Sequence, residues 1–190
     1  MSRVPLTRSS PTASPDAGLA TQPPDRPHTR FPIWLIPWLV GVLIIILDQV
    51  SKQAILHNAH GEPGTILRNM LPILRIEYVQ NTGVAFSLFQ QQSIVSLLVP
   101  IIIVIVIFAF SRYLPRNSVL TRIVEGMIVG GALSNLIDRI RHGFVVDFIG
   151  VHIGGYYWPF FNVADSAITV GIVTLALYLV IHGEMHHPPQ

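Results

Sequence analysis

Four long apolar runs, at residues 33–50, 94–110, 123–140 and 163–181, alternate with shorter polar stretches along the chain. A membrane-spanning helix needs about 20 such residues, with a range of about 17 to 25. Each run is therefore predicted to cross a bilayer, the second at the short end of that range. Pro37 and Pro100 fall within the first two runs and are expected to kink them, which membranes tolerate where neighbours satisfy the freed carbonyl. The pattern changes in residues 51–93. The segments TILRNMLPILRIEYV and GVAFSLF alternate or are rich in β-formers, and Asn81-Thr82-Gly83 between them is turn chemistry. A small sheet lying on the membrane surface is expected there. The connection before the fourth run ends in Gly154-Gly155-Tyr156-Tyr157-Trp158-Pro159, and Tyr and Trp at a helix mouth suit the headgroup belt.

The flanks read differently. Residues 1–30 hold six prolines among Ser, Thr, Arg and Gln, with no apolar period. Such a segment buries too little surface to offset its ordering entropy and is expected to be disordered. A cleavable signal peptide is not expected, because the first apolar run begins only after residue 30. Residues 183–190 read as a flexible tail. The resulting expectation is an all-α membrane protein: four transmembrane helices, a small periplasmic β-cradle and a short periplasmic connection. An even helix count puts both termini on one side. Arg112, Arg116 and Arg122, with the tail residues Arg3, Arg8, Arg26 and Arg30, lie on that side, against Lys52, Arg68, Arg75, Arg139 and Arg141 on the other. The positive-inside rule then favours cytoplasmic termini, with both polar connections facing outward.

Composition agrees with a membrane protein. Only 12% of residues are charged, against about 25% in a soluble domain, and mean hydropathy is +0.54. The net charge of +2 comes with no basic patch interleaved with aromatics, so nucleic acid is set aside. There are no cysteines, which excludes disulfides, thiolate metal sites and a Cys nucleophile.

Polar residues in or beside the apolar runs carry the candidate chemistry. An Asp at the centre of a membrane helix costs roughly 2.5 to 3.5 kcal/mol, and Asp138, Asp147 and Asp165 all lie between residues 130 and 166. Asp48 and Lys52 are i, i+4 and can pair on one face, either as an ordinary helix-end ion pair with a snorkelling Lys or as a brace beside a site. Gly131, Asn135 and Asp138 form one stripe, which helix packing alone would partly explain. Asp138 and Arg139 are adjacent and do not face each other, so each must find another partner. Asn162 and Asp165 have the spacing of a helix cap, which does not exclude a functional role. Asp147 sits in the apolar, β-branched Val145-Val146-Asp147-Phe148, as a loop or helix-entry residue or as half of an acid pair. Two carboxylates at a membrane edge, one ionised and one protonated, can drive water onto an amide. Ser87, Ser134 and Ser166 lack a base at motif spacing and G-x-S-x-G is absent. His182, His186 and His187 lie on the opposite side from the acids, so no metal site is expected.

Five segments in order, Asp48-Gln49-Val50-Ser51-Lys52, Asn81-Thr82-Gly83-Val84-Ala85-Phe86, Gly130 to Arg139 (GGALSNLIDR), Val145-Val146-Asp147-Phe148 and Phe161-Asn162-Val163-Ala164-Asp165-Ser166, resemble the motif boxes of the bacterial lipoprotein signal peptidases, signal peptidase II. The likeness spans about residues 33–182, which makes residues 31–182 a four-helix membrane peptidase domain. One departure is Ser134, where the family usually has Gly. The Pro-rich tail lies outside the likeness. The resemblance implies an intramembrane aspartyl endopeptidase that cuts the signal peptide of diacylglyceryl-modified prolipoproteins just before the lipidated cysteine. It places the catalytic pair at Asp147 and Asp165, with Asp138 as the near rival for the first seat. Asn81, Gly83, Asn135, Arg139, Asn162 and Ala164 would line or support the site, braced by Asp48 and Lys52. It further implies no metal or organic cofactor, contact with membrane lipid, a monomer, and a bacterial inner-membrane location with the site facing the periplasm. The competing reading is a small transporter or proton relay using the same acids, which predicts acids spread through the membrane depth. A non-catalytic scaffold would leave the acids without purpose.

Overall fold

The computed structural model describes residues 32–83, 94–115 and 117–182. The expectations for the N-terminal extension, for most of the segment GVAFSLF and for the tail at 183–190 lie outside the described residues. Among the described residues are four α-helices: α1 (Ile36–Asn58), α2 (Ile94–Ser111), α3 (Val119–His142) and α4 (Val163–His182). Three segments, Ile33–Asn58, Val119–His142 and Val163–Ile181, are long and apolar enough to cross a membrane, and the apolar part of α2, Ser96–Ser111, is shorter.

The first helix is built inside out. Its buried residues are Gly41, Asp48 and Lys52, while Leu39, Val42, Leu43, Ile46, Leu47 and Val50 are exposed. In water that surface would drive association, and in hydrocarbon it is the ordinary outer face. Pro37 does not kink α1. It occupies the first turn, where its missing N–H is no loss. Pro100 lies inside α2. The helix also runs on to Asn58, eight residues past the end of its apolar run.

Glycines set how closely the helices approach. A Cβ on Gly126 would lie 2.6 Å from the Pro37 carbonyl, and one on Gly130 would lie 2.6 Å from that of Gly41. Gly126 and Gly130 are therefore a small-xxx-small contact with α1. A Cβ on Gly131 would meet the Ala164 carbonyl of α4 at 2.6 Å. With backbones this near, short polar side chains reach from one helix to the next.

The polar connections form one antiparallel sheet, β1 (Ile66–Leu71), β2 (Leu74–Asn81), β3 (Val145–Ile153) and β4 (Tyr156–Tyr157), in that order. The expected sheet in the first connection is thus joined by a nine-residue strand in the second, so neither "all-α" nor "short connection" describes this region. β3 starts where Gly143 ends α3 in the left-handed conformation at φ 80°, the usual role of glycine at a helix C-terminus. Its register with β2 pairs Val79 with Asp147 and Asn81 with Val145. The returning chain bonds to β3 through Ile149 and Phe161, which sets Asn162, the residue before α4, beside Asp147.

Candidate active site

Two layers of polar side chains meet where α1, α3, the sheet and the start of α4 converge. The inner layer centres on Lys52, which is only 1% exposed. Its Nζ lies 2.6 Å from Asp48 Oδ2, 2.8 Å from Asp138 Oδ2 and 2.9 Å from Asn135 Oδ1. Lys52 does not snorkel. It is turned inward in the second half of α1 and joins α1 to α3. Asp48 Oδ1 accepts from the Ala164 N–H at 2.8 Å, and its Oδ2 also accepts from Ser134 Oγ at 2.8 Å. Asp138 accepts from Gln49 Nε2 at 2.7 Å and from the Val146 N–H at 3.1 Å. The two acids anchor the start of α4 and the start of β3 to the same ammonium. Breaking such a buried pair from one side costs roughly 3–5 kcal/mol.

The outer layer holds the other two acids. Asp147 Oδ1 accepts from Asn162 Nδ2 at 2.7 Å and its Oδ2 accepts from Asn81 Nδ2 at 2.9 Å. Asp165 Oδ1 accepts from Asn135 Nδ2 at 2.7 Å. Asn162 and Asp165 form a reciprocal capping box. The Asp165 N–H donates to Asn162 Oδ1 at 2.9 Å, and the Asn162 N–H donates to Asp165 Oδ2 at 3.3 Å. The cap expected from spacing is present, and the same asparagine also holds Asp147. Burial pushes the Asp147 carboxyl from 3.8 up to about 7, an effect opposed by the Asn81 hydrogen bond and reinforced by the charge of Asp165. The Asn162 bond and Lys52 also oppose it.

Asp138 and Arg139 do not pair; Arg139 Nη1 donates to the Asn135 carbonyl at 3.5 Å, and among the described residues its Nε is buried without a hydrogen-bond partner. Asp138 is consumed by Lys52, Gln49 and the start of β3, whereas Asp147 opens onto a cleft. That cleft has a volume of about 440 Å³ and is lined by Asn81, Thr82, Gly83, Pro159 and Phe160 among others. Arg139 and Asp165 line a second cleft of about 220 Å³, with Val99, Pro100 and Ile103 of α2 on its far wall. Gly83, at φ 75°, donates its N–H to Asn81 Oδ1 at 2.9 Å and closes the turn that aims Asn81 at Asp147. Gln49 and Ser134 were not singled out as supports by their spacing. Ser134 is more than a small residue at a helix contact, since its hydroxyl bonds Asp48. Among the described residues, no group of three or more His, Cys, Asp or Glu side chains could hold a metal.

The sequence pattern of the signal peptidase (SPase) II family matches residues 40–181. The chain belongs to the signal peptidase II family. Among its relatives, the lipoprotein signal peptidase of Moorella thermoacetica is 38% identical over 152 residues, covering 80% of this chain and 97% of that one. The lipoprotein signal peptidase of Blochmanniella pennsylvanica is 41% identical over 152 residues, covering 76% and 88% respectively. The fold is similar to a bacterial membrane enzyme solved by the in meso method at 1.9 Å resolution, with a TM-score of 0.68 and 31% identity over 77% of this chain and 93% of that one. A second such structure, at 2.3 Å, gives a TM-score of 0.66 at 28% identity, covering 81% and 93%. In this signal peptidase II, the matched region includes all four helices from Val40 of α1 onward, and both polar layers.

Proposed function

We propose that Asp147 and Asp165 are the catalytic pair with which this chain performs the cleavage its family carries out. Membership of the signal peptidase II family makes it a membrane protease that removes the signal peptides of prolipoproteins. The observation that carries the pair is the double hold of Asn162, whose side chain bonds Asp147 while its cap fixes Asp165. In this reading Asp147, whose carboxyl burial raises to about 7, holds the proton, and Asp165, which accepts from Asn135 Nδ2 and the Asn162 N–H, is the ionised partner. A water between them gives a proton to Asp165 as its oxygen attacks the scissile carbonyl, while Asp147 donates to the carbonyl oxygen. Collapse of the resulting tetrahedral diol expels the amine, which takes the proton from Asp165, while one diol hydroxyl returns its proton to Asp147 as the C=O bond re-forms. Asn81, Gly83, Arg139 and Asn162 orient the substrate and the acids. Asn135 and Ala164, with Asp48, Lys52 and Asp138, hold them in place.

The finer readings follow from this arrangement. α2 lines the cleft at Asp165 with Val99, Pro100 and Ile103, and lines a cavity around Trp34 and Arg122 with Ile107, Phe108 and Ser111. Reaching both groups of residues supports α2 as a fourth span. The substrate is a diacylglyceryl-modified precursor cut just before its lipidated cysteine, with its acyl chains left in the bilayer while the peptide enters between helices. A monomer suffices, since both acids and all their supports come from one chain. The termini are cytoplasmic and the site faces the periplasmic side of the inner membrane, as the arginine distribution favours. The test is cleavage of a lipid-modified precursor by purified protein. Asp147→Asn and Asp165→Asn should each lower the rate by roughly 10²- to 10⁴-fold with thermal unfolding retained. Normal cleavage by both variants would discard the pair.

A further inference from the structure

A separate cavity, of about 370 Å³, lies among α1, α2 and α3, lined by Trp34, Trp38, Phe108, Ser111, Arg122 and Glu125 together with apolar neighbours. Glu125 is 13 residues before Asp138 on α3, about 20 Å along the helix from the catalytic layers at 1.5 Å per residue. Glu125 is 5% exposed. Arg122 meets its Oε2 at 2.7 Å, and among the described residues its Oε1 is buried with no hydrogen-bond partner. A carboxylate on a membrane helix with one oxygen lacking a donor is an incomplete arrangement. Arg122 and Glu125 are the charged residues of the cavity wall. Trp34, in the 3-10 turn Ile33–Leu35 that leads into α1, and Trp38, in the first turn of α1, are largely exposed, as tryptophans are at the headgroup level of a bilayer.

We propose that this cavity binds one phospholipid with a protonated primary-amine headgroup, such as phosphatidylethanolamine. The ammonium supplies the donor that Glu125 lacks. The adjacent phosphate lies against the Arg122 guanidinium, whose fork suits phosphate oxygens. The glycerol and first methylenes pack on Trp34, Trp38 and Phe108. A choline headgroup carries no N–H and cannot complete the carboxylate. A glycerol headgroup offers hydroxyl donors but no charge to balance Glu125. The volume, at the lower end of ordinary ligand pockets, holds a headgroup and leaves the acyl chains in the bilayer. This site is independent of the peptidase chemistry.

The experiment is native mass spectrometry of delipidated full-length protein in detergent, titrated separately with phosphatidylethanolamine, its N-monomethyl and N-dimethyl derivatives, phosphatidylcholine and phosphatidylglycerol. One-to-one retention should favour phosphatidylethanolamine over phosphatidylcholine by about tenfold, with the drop at loss of the last N–H. Glu125→Gln should reduce that preference to about twofold or less, while precursor cleavage in detergent stays within about twofold of wild type. Trp38→Ala should weaken all five lipids alike. Equal retention of the amine and choline lipids would overturn the proposal. So would tighter binding of phosphatidylglycerol, or an unchanged preference in Glu125→Gln. Because the methylation series needs no variant, it decides the matter even if Glu125→Gln does not fold.

Discussion

The hydrogen bond from Asn81 Nδ2 to Asp147 Oδ2, 2.9 Å long, gives a signed test of which acid holds the proton. An amide donor favours the ionised carboxylate, so removing it in Asn81→Ala makes ionisation of Asp147 harder and raises its pKa. Hydrogen bonds to charged groups contribute about 1.5–3 kcal/mol, and one pKa unit corresponds to about 1.4 kcal/mol. Asn81 is exposed, which argues for the lower end, a rise of about one unit. The assay is kcat/KM for a synthetic lipidated precursor between pH 5 and 9, which reports ionisations of the free enzyme. With Asp147 as the proton holder, wild-type activity should fall as pH rises through about 7. In Asn81→Ala the same fall should come at about pH 8, with a modest loss at the optimum. Asn81→Asp keeps an acceptor for the Gly83 N–H but sets a further carboxylate, besides Asp165, beside Asp147, and should move the fall at least as far upward. A limb that stays in place or moves to lower pH in Asn81→Ala would refute the assignment.

Other outcomes follow from the same geometry. Since Asp147 has a higher pKa in the fold than its unfolded value near 3.9, its contribution to stability is full below about pH 4 and is lost as pH rises through about 7, a change on the order of 4 kcal/mol. Asp147→Asn should flatten that dependence in thermal unfolding measured from pH 4 to 8. Lys52→Met leaves Asp48 and Asp138 facing each other without a cation and should cost roughly 3–5 kcal/mol, read as a lowered melting temperature, with cleavage falling as the start of α4 loosens. Gly130→Leu drives a side chain into the Gly41 backbone and should cost at least about 1–3 kcal/mol. Ser134→Gly removes a hydroxyl that donates to Asp48 and accepts from Gln49 and sets a glycine inside α3, and should cost about 1–2 kcal/mol, with cleavage nearly unchanged.

Much of this site can be read from residue spacing, and the unread part has identifiable causes. The i, i+4 pair of Asp48 and Lys52, the Asn162 to Asp165 cap and the polar stripe on α3 each depend on neighbours within one helix, so spacing reveals them. β3 was hidden because Val145, Val146, Asp147 and Phe148 are all buried, and a strand covered on both faces lacks the alternation that marks half-buried strands. α1 outruns its apolar segment because hydropathy marks where lipid ends and not where helical hydrogen bonding ends. Lys52 bonding Asp138 across two helices depends on the contact made by Gly126 and Gly130, and a small-residue spacing does not say which helix it packs against. Gln49 looked like an ordinary neighbour in a motif and gains its role only when Asp138 is brought to it.

Asn162 ties two separate parts of the molecule together. The same carboxamide grips the sheet through Asp147 and caps the start of α4 through the Asp165 N–H, so the two proposed catalytic acids cannot swing apart like jaws. Admission of a substrate then has to come from displacement of something else, and α2, whose Val99, Pro100 and Ile103 wall the cleft at Asp165, is placed to act as a side door. Turnover in such a protein should respond to the thickness and fluidity of the surrounding lipid, because those properties govern how readily one bilayer helix slides past its neighbours.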